Sequence, residues 1–321
     1  MSNPLISFII PYYNIPVEMV EECVESIMSV PLADSERQVV VVDDGSRVDI
    51  GERLSLICPH IIYIKQENRG PGGARNTALA HATGTYVQFV DGDDALLPDA
   101  YSQCVEKLKS EEPDMLLFRS SHEKKTTTSP LAWHKMTTGA RYMITHNLHA
   151  TPCEYVFKRA ILGSLRFPEG IFHEDEEFTP QLIARAATLC HTDGVAYYYR
   201  VRPNSTMNNH SPEFINKRLE YMPVIICRLR IVAGGMDDEA YEGMSRKVAQ
   251  LTMDYIFNLM RLQRNWSKVR SAIAALRSCG LYPLPRRNYT PAYRLFALVA
   301  NKRLGLILLY LLLPLVSHKD Y

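Results

Sequence analysis

The chain has 321 residues, 46% hydrophobic and 22% charged, enough for one large core and a smaller appendage. Its formal net charge of +1 excludes an overall field that attracts nucleic acid, so any polyanion contact must be local. Seven scattered cysteines with no CxxC pair exclude a zinc ribbon or thioredoxin-like centre and fit a reducing compartment.

Residues 5–10 are an apolar run stopped by Pro11, which reads as a buried strand and not as a signal peptide. Val20, Val24, Ile27 and Met28 recur at helical spacing. Four valines at 39–42 predict a strand that ends in Asp43-Asp44-Gly45-Ser46. Residues 61–64 predict another, followed by a Gly-rich loop at 68–76 and a helix from about Ala74. Residues 86–90 predict a strand that ends in Asp91-Gly92-Asp93-Asp94. Pro98 opens a helix to about Lys109, and residues 115–118 give a further strand. Strands at this spacing, separated by helices, predict an α/β fold with a mainly parallel central sheet flanked by helices.

Residues 120–129 are polar and Thr-rich, a surface hairpin or loop. A helix over 139–146, a strand over 154–157, a helix over 180–187 and a strand over 196–199 follow. Thr179 would cap the second of these helices, with Pro180 in its first turn. From about Glu213 the pattern is purely helical, which places a boundary near Ser211-Pro212 and two domains, 1–211 and 212–321. Residues 304–316 are nearly all apolar and follow Arg286, Arg287, Arg294, Lys302 and Arg303. The run falls short of the roughly 20 residues that span a bilayer. It reads either as a contact with the cytoplasmic face of a membrane or as a helix packed on protein.

Polar clusters stand beyond the carboxyl ends of the predicted strands, where a parallel sheet presents its ligands. Asp91, Asp93 and Asp94 are three carboxylates within four residues, and they repel one another unless a cation or water screens them. Mg²⁺ or Mn²⁺ resolves that conflict, because hard cations prefer oxygen ligands; the other reading is a solvated acidic turn. The Gly-rich loop resembles a phosphate cradle, although it lacks the Gly-Lys-Ser/Thr ending of a Walker A loop. Arg75 would meet an anion or a nucleobase carbonyl there. In His173-Glu174-Asp175-Glu176-Glu177, Asp175 shares a helical face with Phe178 and Leu182 and would point inward as a general base; the other reading is acids favoured at a helix start, and a start at Pro180 would put Asp175 on the approach loop. Arg200 and Arg202 precede a polar loop at 203–206 and would fold over a diphosphate as a lid, or else pair with nearby acids.

These segments, together with Ser7-Phe8-Ile9-Ile10-Pro11-Tyr12-Tyr13-Asn14, resemble family 2 glycosyltransferases over roughly residues 1–210, in the family's order. The resemblance implies a GT-A fold, Rossmann-like in its sheet, with a helical C-terminal extension. It implies a nucleobase pocket lined by Pro11, Tyr13, Asp44 and Arg75. Asp91 and Asp93 would form the DxD element on ribose and metal, with Asp93 first and Asp94 second as metal ligand. Asp175 would be the general base. The activity implied is inverting, metal-dependent transfer of a sugar from a nucleoside diphosphate, with UDP expected, to a hydroxyl of a glycan or lipid-linked acceptor. It fits a cytoplasmic protein of polysaccharide biosynthesis, peripheral on the membrane. The alternative is a non-catalytic nucleotide-sugar-binding or scaffold subunit of a membrane-associated assembly.

Overall fold

In the computed structural model, which describes residues 3–125, 129–202, 211–287 and 289–315, the unbroken apolar runs form the centre of an eight-stranded sheet. Its strands are β1 (Ile6–Tyr12), β2 (Arg37–Asp43), β3 (Ile62–Lys65), β4 (Tyr86–Phe89), β5 (Ala95–Leu96), β6 (Met115–Ser121), β7 (Tyr155–Lys158) and β8 (Leu189–Tyr198). Their order is β3-β2-β1-β4-β7-β6-β8-β5. β1 runs parallel to β2 and β4, β2 to β3, and β6 to β8; β7 is antiparallel to both neighbours, as β5 is to β8. β1 and β2 are apolar without alternation because helices cover both faces, and Phe8, Ile9, Ile10 and Val40 to Val42 are fully buried.

The helices around the sheet are α1 (Val17–Met28), α2 (Gly51–Ile57), α3 (Gly70–His81), α4 (Pro98–Glu111) and α6 (Glu174–Ala184), with α5 (Gly139–Thr145) preceding β7. Two of them begin earlier than the sequence predicts. α3 starts at Gly70 and not near Ala74, so the Gly-rich segment is its first turn. The glycines serve close packing: a Cβ on Gly72 would lie 2.7 Å from the Pro168 carbonyl oxygen, and one on Gly73 2.5 Å from Arg69 Cβ. α6 starts at Glu174, with Pro180 inside it. Thr179 is no cap, because its hydroxyl bonds the Tyr155 hydroxyl at 2.9 Å and the Ala150 carbonyl at 3.1 Å. The Phe178 ring stacks on Phe167 with centroids 3.7 Å apart and anchors the early turns in the core.

The chain divides into two compact units, one holding the sheet and one holding α7 (Pro212–Ala233), α8 (Asp238–Asn258), α9 (Trp266–Ser278), α10 (Pro291–Ala300) and α11 (Arg303–Leu312). Residues 140–149, which the strand–helix alternation places in the first domain, group with the helical unit. The reason lies in α8: buried Arg246 donates to the carbonyls of Met143 and His146, and buried Lys247 to that of Leu148 at 2.9 Å. The polar segment at 120–129 is described only at its ends, and the loop at 203–206 lies outside the described residues.

Candidate active site

The ends of β1 and β2 are tied together. The Asn14 amide donates to the Ser46 hydroxyl at 3.0 Å, and the Arg47 amide to Asn14 Oδ1 at 3.1 Å. Asp43 is spent on structure: Oδ1 accepts the Ser46 amide at 2.7 Å and Oδ2 the Tyr63 hydroxyl at 2.9 Å. Buried Asp44 accepts Gln66 Nε2 at 2.6 Å and the Arg69 amide at 2.9 Å on Oδ1. Beside them Pro11 is half-buried and the Tyr13 ring is 53% exposed, an apolar face at the strand end. Behind this edge Gly92 lies so close that a Cβ would sit 3.3 Å from the Pro11 carbonyl oxygen.

Arg75 joins the remaining pieces. It leaves the first turns of α3, is 5% exposed, and donates through Nη2 to Asp91 Oδ1 at 2.9 Å and through Nη1 to Glu174 Oε1 at 2.8 Å. Its guanidinium also lies over the Phe167 ring at 5.4 Å. The expected contact of Arg75 is with a nucleobase; in this structure each terminal nitrogen makes a bond to an internal carboxylate. The residue holds the end of β4 against the start of α6. At the entrance of the Gly-rich segment the Arg69 amide is bonded to Asp44.

Beyond β4 the three acids take different surroundings. Asp94 is 1% exposed, and its oxygens accept the Arg200 amide and the Tyr197 hydroxyl, each at 2.8 Å. Tyr197 also accepts the Asp91 amide at 3.1 Å, so the turn is locked to β8. Each oxygen of Asp94, expected as second metal ligand, thus accepts one bond from the end of β8. Burial, then the neighbouring Asp91 charge, lifts its carboxyl well above the usual range. Asp93 is less enclosed and accepts Arg202 Nε at 2.5 Å. Burial and Asp91 raise its pKa too, against the opposing pull of Arg202. Among the described residues no group of three or more His, Cys, Asp or Glu converges as a metal cage. Asp91 and Asp93 are hard oxygen donors, each paired with a guanidinium here, and such a pair fits a divalent ion that takes its remaining oxygens from a diphosphate. Arg200 is held by the Asp93 carbonyl at 2.7 Å, by Glu22 and by the face of Tyr198, and Arg202 reaches the acid cluster through its pair with Asp93.

Asp175 stands in the first turn of α6, where the helix dipole favours acids. The preceding His173 has a left-handed backbone at φ 63°, a strained residue of the kind that fixes the aim of a functional side chain. Asp175 Oδ1 accepts the Glu176 amide at 2.9 Å. Burial, then the Glu174 and Glu176 charges, raise its carboxyl far above the ordinary range, with Arg75 acting the other way. The partners that the motifs did not single out are Glu174, Gln66, Tyr197 and Glu22. Only Glu174 had a signal, as the acid adjoining the predicted base.

Residues 7–165, just under half of the chain, match the model of glycosyl transferase family 2. The glycosyltransferase EpsJ of Bacillus subtilis is 29% identical over 218 residues, which are 63% of this chain and 62% of that protein, so the match spans under two thirds of it. Among solved structures, TarS 1–349 of S. aureus in complex with UDP-GlcNAc superposes with a TM-score of 0.61 at 20% identity, over 96% of this chain and 90% of that one. The mannosyltransferase PcManGT from Pyrobaculum calidifontis, in complex with GDP-Man and Mn²⁺, gives 0.58 at 19%, over 94% and 87%. The fold is GT-A, as the motifs implied.

Proposed function

We propose, from the premise that residues 7–165 belong to glycosyl transferase family 2, that the chain transfers a sugar from a UDP donor to a glycan or lipid-linked hydroxyl with inversion. The Arg75 bridge carries this reading. One buried side chain ties Asp91, on the donor side, to Glu174, the residue before Asp175, so donor acid and base belong to one rigid network. UDP is supported by the likeness to a structure in complex with UDP-GlcNAc, and the nucleobase would rest against Pro11, Tyr13 and Asp44.

Asp175 takes the proton of the acceptor hydroxyl while its oxygen attacks the anomeric carbon from the face opposite the diphosphate. The glycosidic C–O bond breaks through an oxocarbenium-like transition state, and the configuration inverts. A base works best with a pKa near the working pH, and burial lifts Asp175 towards that range. Mg²⁺ or Mn²⁺ held at Asp93, with Asp91 beside it, would neutralise the charge gained by the diphosphate. Arg202 would turn from Asp93 to the diphosphate and close over it, with Arg200 fixing the base of that lid. The catalytic domain would be 1–211, with 212–321 as its helical extension. Seven unbridged cysteines support a reducing, cytoplasmic location.

A melting screen of nucleotides and nucleotide sugars with and without Mn²⁺, followed by transfer assays of Asp175→Asn, tests the proposal. UDP-sugars should raise the melting temperature. The variant should keep that shift and lose about 10²–10⁴-fold in turnover. Transfer by Asp175→Asn at the unmutated rate would remove Asp175 as the base, and a shift by guanosine nucleotides alone would replace UDP.

A further inference from the structure

We propose that the α10–α11 pair docks on an anionic lipid bilayer, with both helices lying in the interface plane. α11 turns Leu304, Ile307, Leu308, Leu311 and Leu312 outward, all exposed, at i, i+3, i+4, i+7 and i+8. A helix on the outside of a water-soluble unit carries charge on that stripe. α10 adds Leu295 and Leu298, 65% and 53% exposed. The other sides of the pair are already committed. The Phe296 ring meets Phe257 edge-on, the Tyr293 hydroxyl donates to Asp254 at 2.7 Å, and the Tyr310 hydroxyl to the Arg264 carbonyl at 2.9 Å.

Neither helix of the pair is long enough to cross alone, and only the two together have the length and composition of a broken span. The two helices bend by 119° at a break of two residues, and a Cβ on Gly305 would lie 2.0 Å from the Val299 carbonyl oxygen. Ten residues per helix reach about 15 Å, half of a hydrocarbon core of about 30 Å. No single described helix is long and apolar enough to span a membrane.

Charge decides the occupant. From 255 to 319 the sequence has eleven Lys and Arg and no Asp or Glu, which leaves 25 bases against 35 acids elsewhere. Exposed Arg294 adjoins Leu295 in the chain, and exposed Lys302 and Arg303 lead into Leu304. A second copy would bring the same positive rim to a two-fold contact, with like charges opposed. Anionic headgroups supply the opposite charge over an apolar layer, which matches both features of the face. None of these residues belongs to the sheet unit, so this inference and the transfer chemistry fail separately.

Flotation of the full chain with phosphatidylcholine vesicles, with and without about one quarter phosphatidylglycerol, tests it. The chain should float with the anionic vesicles and stay down with phosphatidylcholine alone. Leu304→Ser/Leu308→Ser/Leu311→Ser should abolish flotation. Arg294→Gln/Lys302→Gln/Arg303→Gln should weaken it on the order of a hundredfold. Both variants replace exposed groups and should keep the melting temperature and the UDP-induced shift. Equal flotation on both vesicle types, or variants that float like the unmutated chain, overturns the proposal. So does an unmutated chain that ignores vesicles and runs as a dimer dissolved by the leucine substitutions.

Discussion

Replacing Arg75 by Met removes the positive charge from between two carboxylates and leaves the apolar stem in place. Losing one partner of a buried ion pair costs about 3–5 kcal/mol, because the other charge stays behind without compensation. Here two charges are orphaned, but unequally: the Glu174 side chain is 12% exposed and that of Asp91 32%. Water takes part of the load at Asp91, so the lower figure of about 3 kcal/mol applies. A unit of this size shifts by about 2–4 °C per kcal/mol, which gives a melting temperature lower by about 6–12 °C. Scanning calorimetry measures it. Adding Glu174→Gln to Arg75→Met removes the more enclosed orphan and should restore part of the loss, whereas Glu174→Gln alone should destabilise. An Arg75→Met protein that melts within about 2 °C of the unmutated one would show the bridge to be energetically idle, and the link between donor acid and base would lose its physical basis.

Three further outcomes follow from the same geometry. Asp175, with its pKa pushed up to about 8, holds its proton more tightly folded than unfolded, so its contribution to stability falls as pH rises from about 4 to 8. Activity runs the other way, since the base works deprotonated: kcat/KM should climb about tenfold per pH unit below 8 and level above it, and a flat profile between pH 6 and 9 would reject the assignment. Asp93→Asn should weaken Mn²⁺-dependent UDP binding at least about tenfold by titration calorimetry while metal-free binding changes little. Gly72→Ala pushes a methyl to 2.7 Å from the Pro168 carbonyl oxygen and should cost about 1–3 kcal/mol in urea unfolding.

The strands that carry the site were readable because burial on both faces leaves unbroken apolar runs, as in Val39 to Val42, and because each run stops at an acid or at Pro11. The helix starts were less so. Gly70 to Gly73 looks like a loop by propensity, yet those residues open α3, with Gly72 and Gly73 too close to Pro168 and Arg69 to carry a side chain. Pro180 suggests a helix start, but the stacking of Phe178 on Phe167 carries α6 back to Glu174. The destination of Arg75 was out of reach, because its partners lie 16 and 99 residues away and only tertiary packing chooses between an internal acid and a ligand. Asp94 ranked second to Asp93 in the sequence; its bonds from Tyr197 and Arg200, at the end of the strand paired with β5, give it the more enclosed setting.

The run of parallel strands β3-β2-β1-β4 ends at the first antiparallel seam of the sheet. β4 meets β7 head to tail over three residue pairs, Tyr86 with Lys158, Val87 with Phe157 and Gln88 with Val156. On one side lie the strands that end at the nucleotide motifs; on the other, those that lead to α6 and the arginines after β8. On the proposed function, a crossover between homologues at this border would exchange the acceptor side and keep the donor side. The exchange has one condition: position 75 comes from one parent and position 174 from the other, so a viable chimera must inherit a cation and an anion that fit each other.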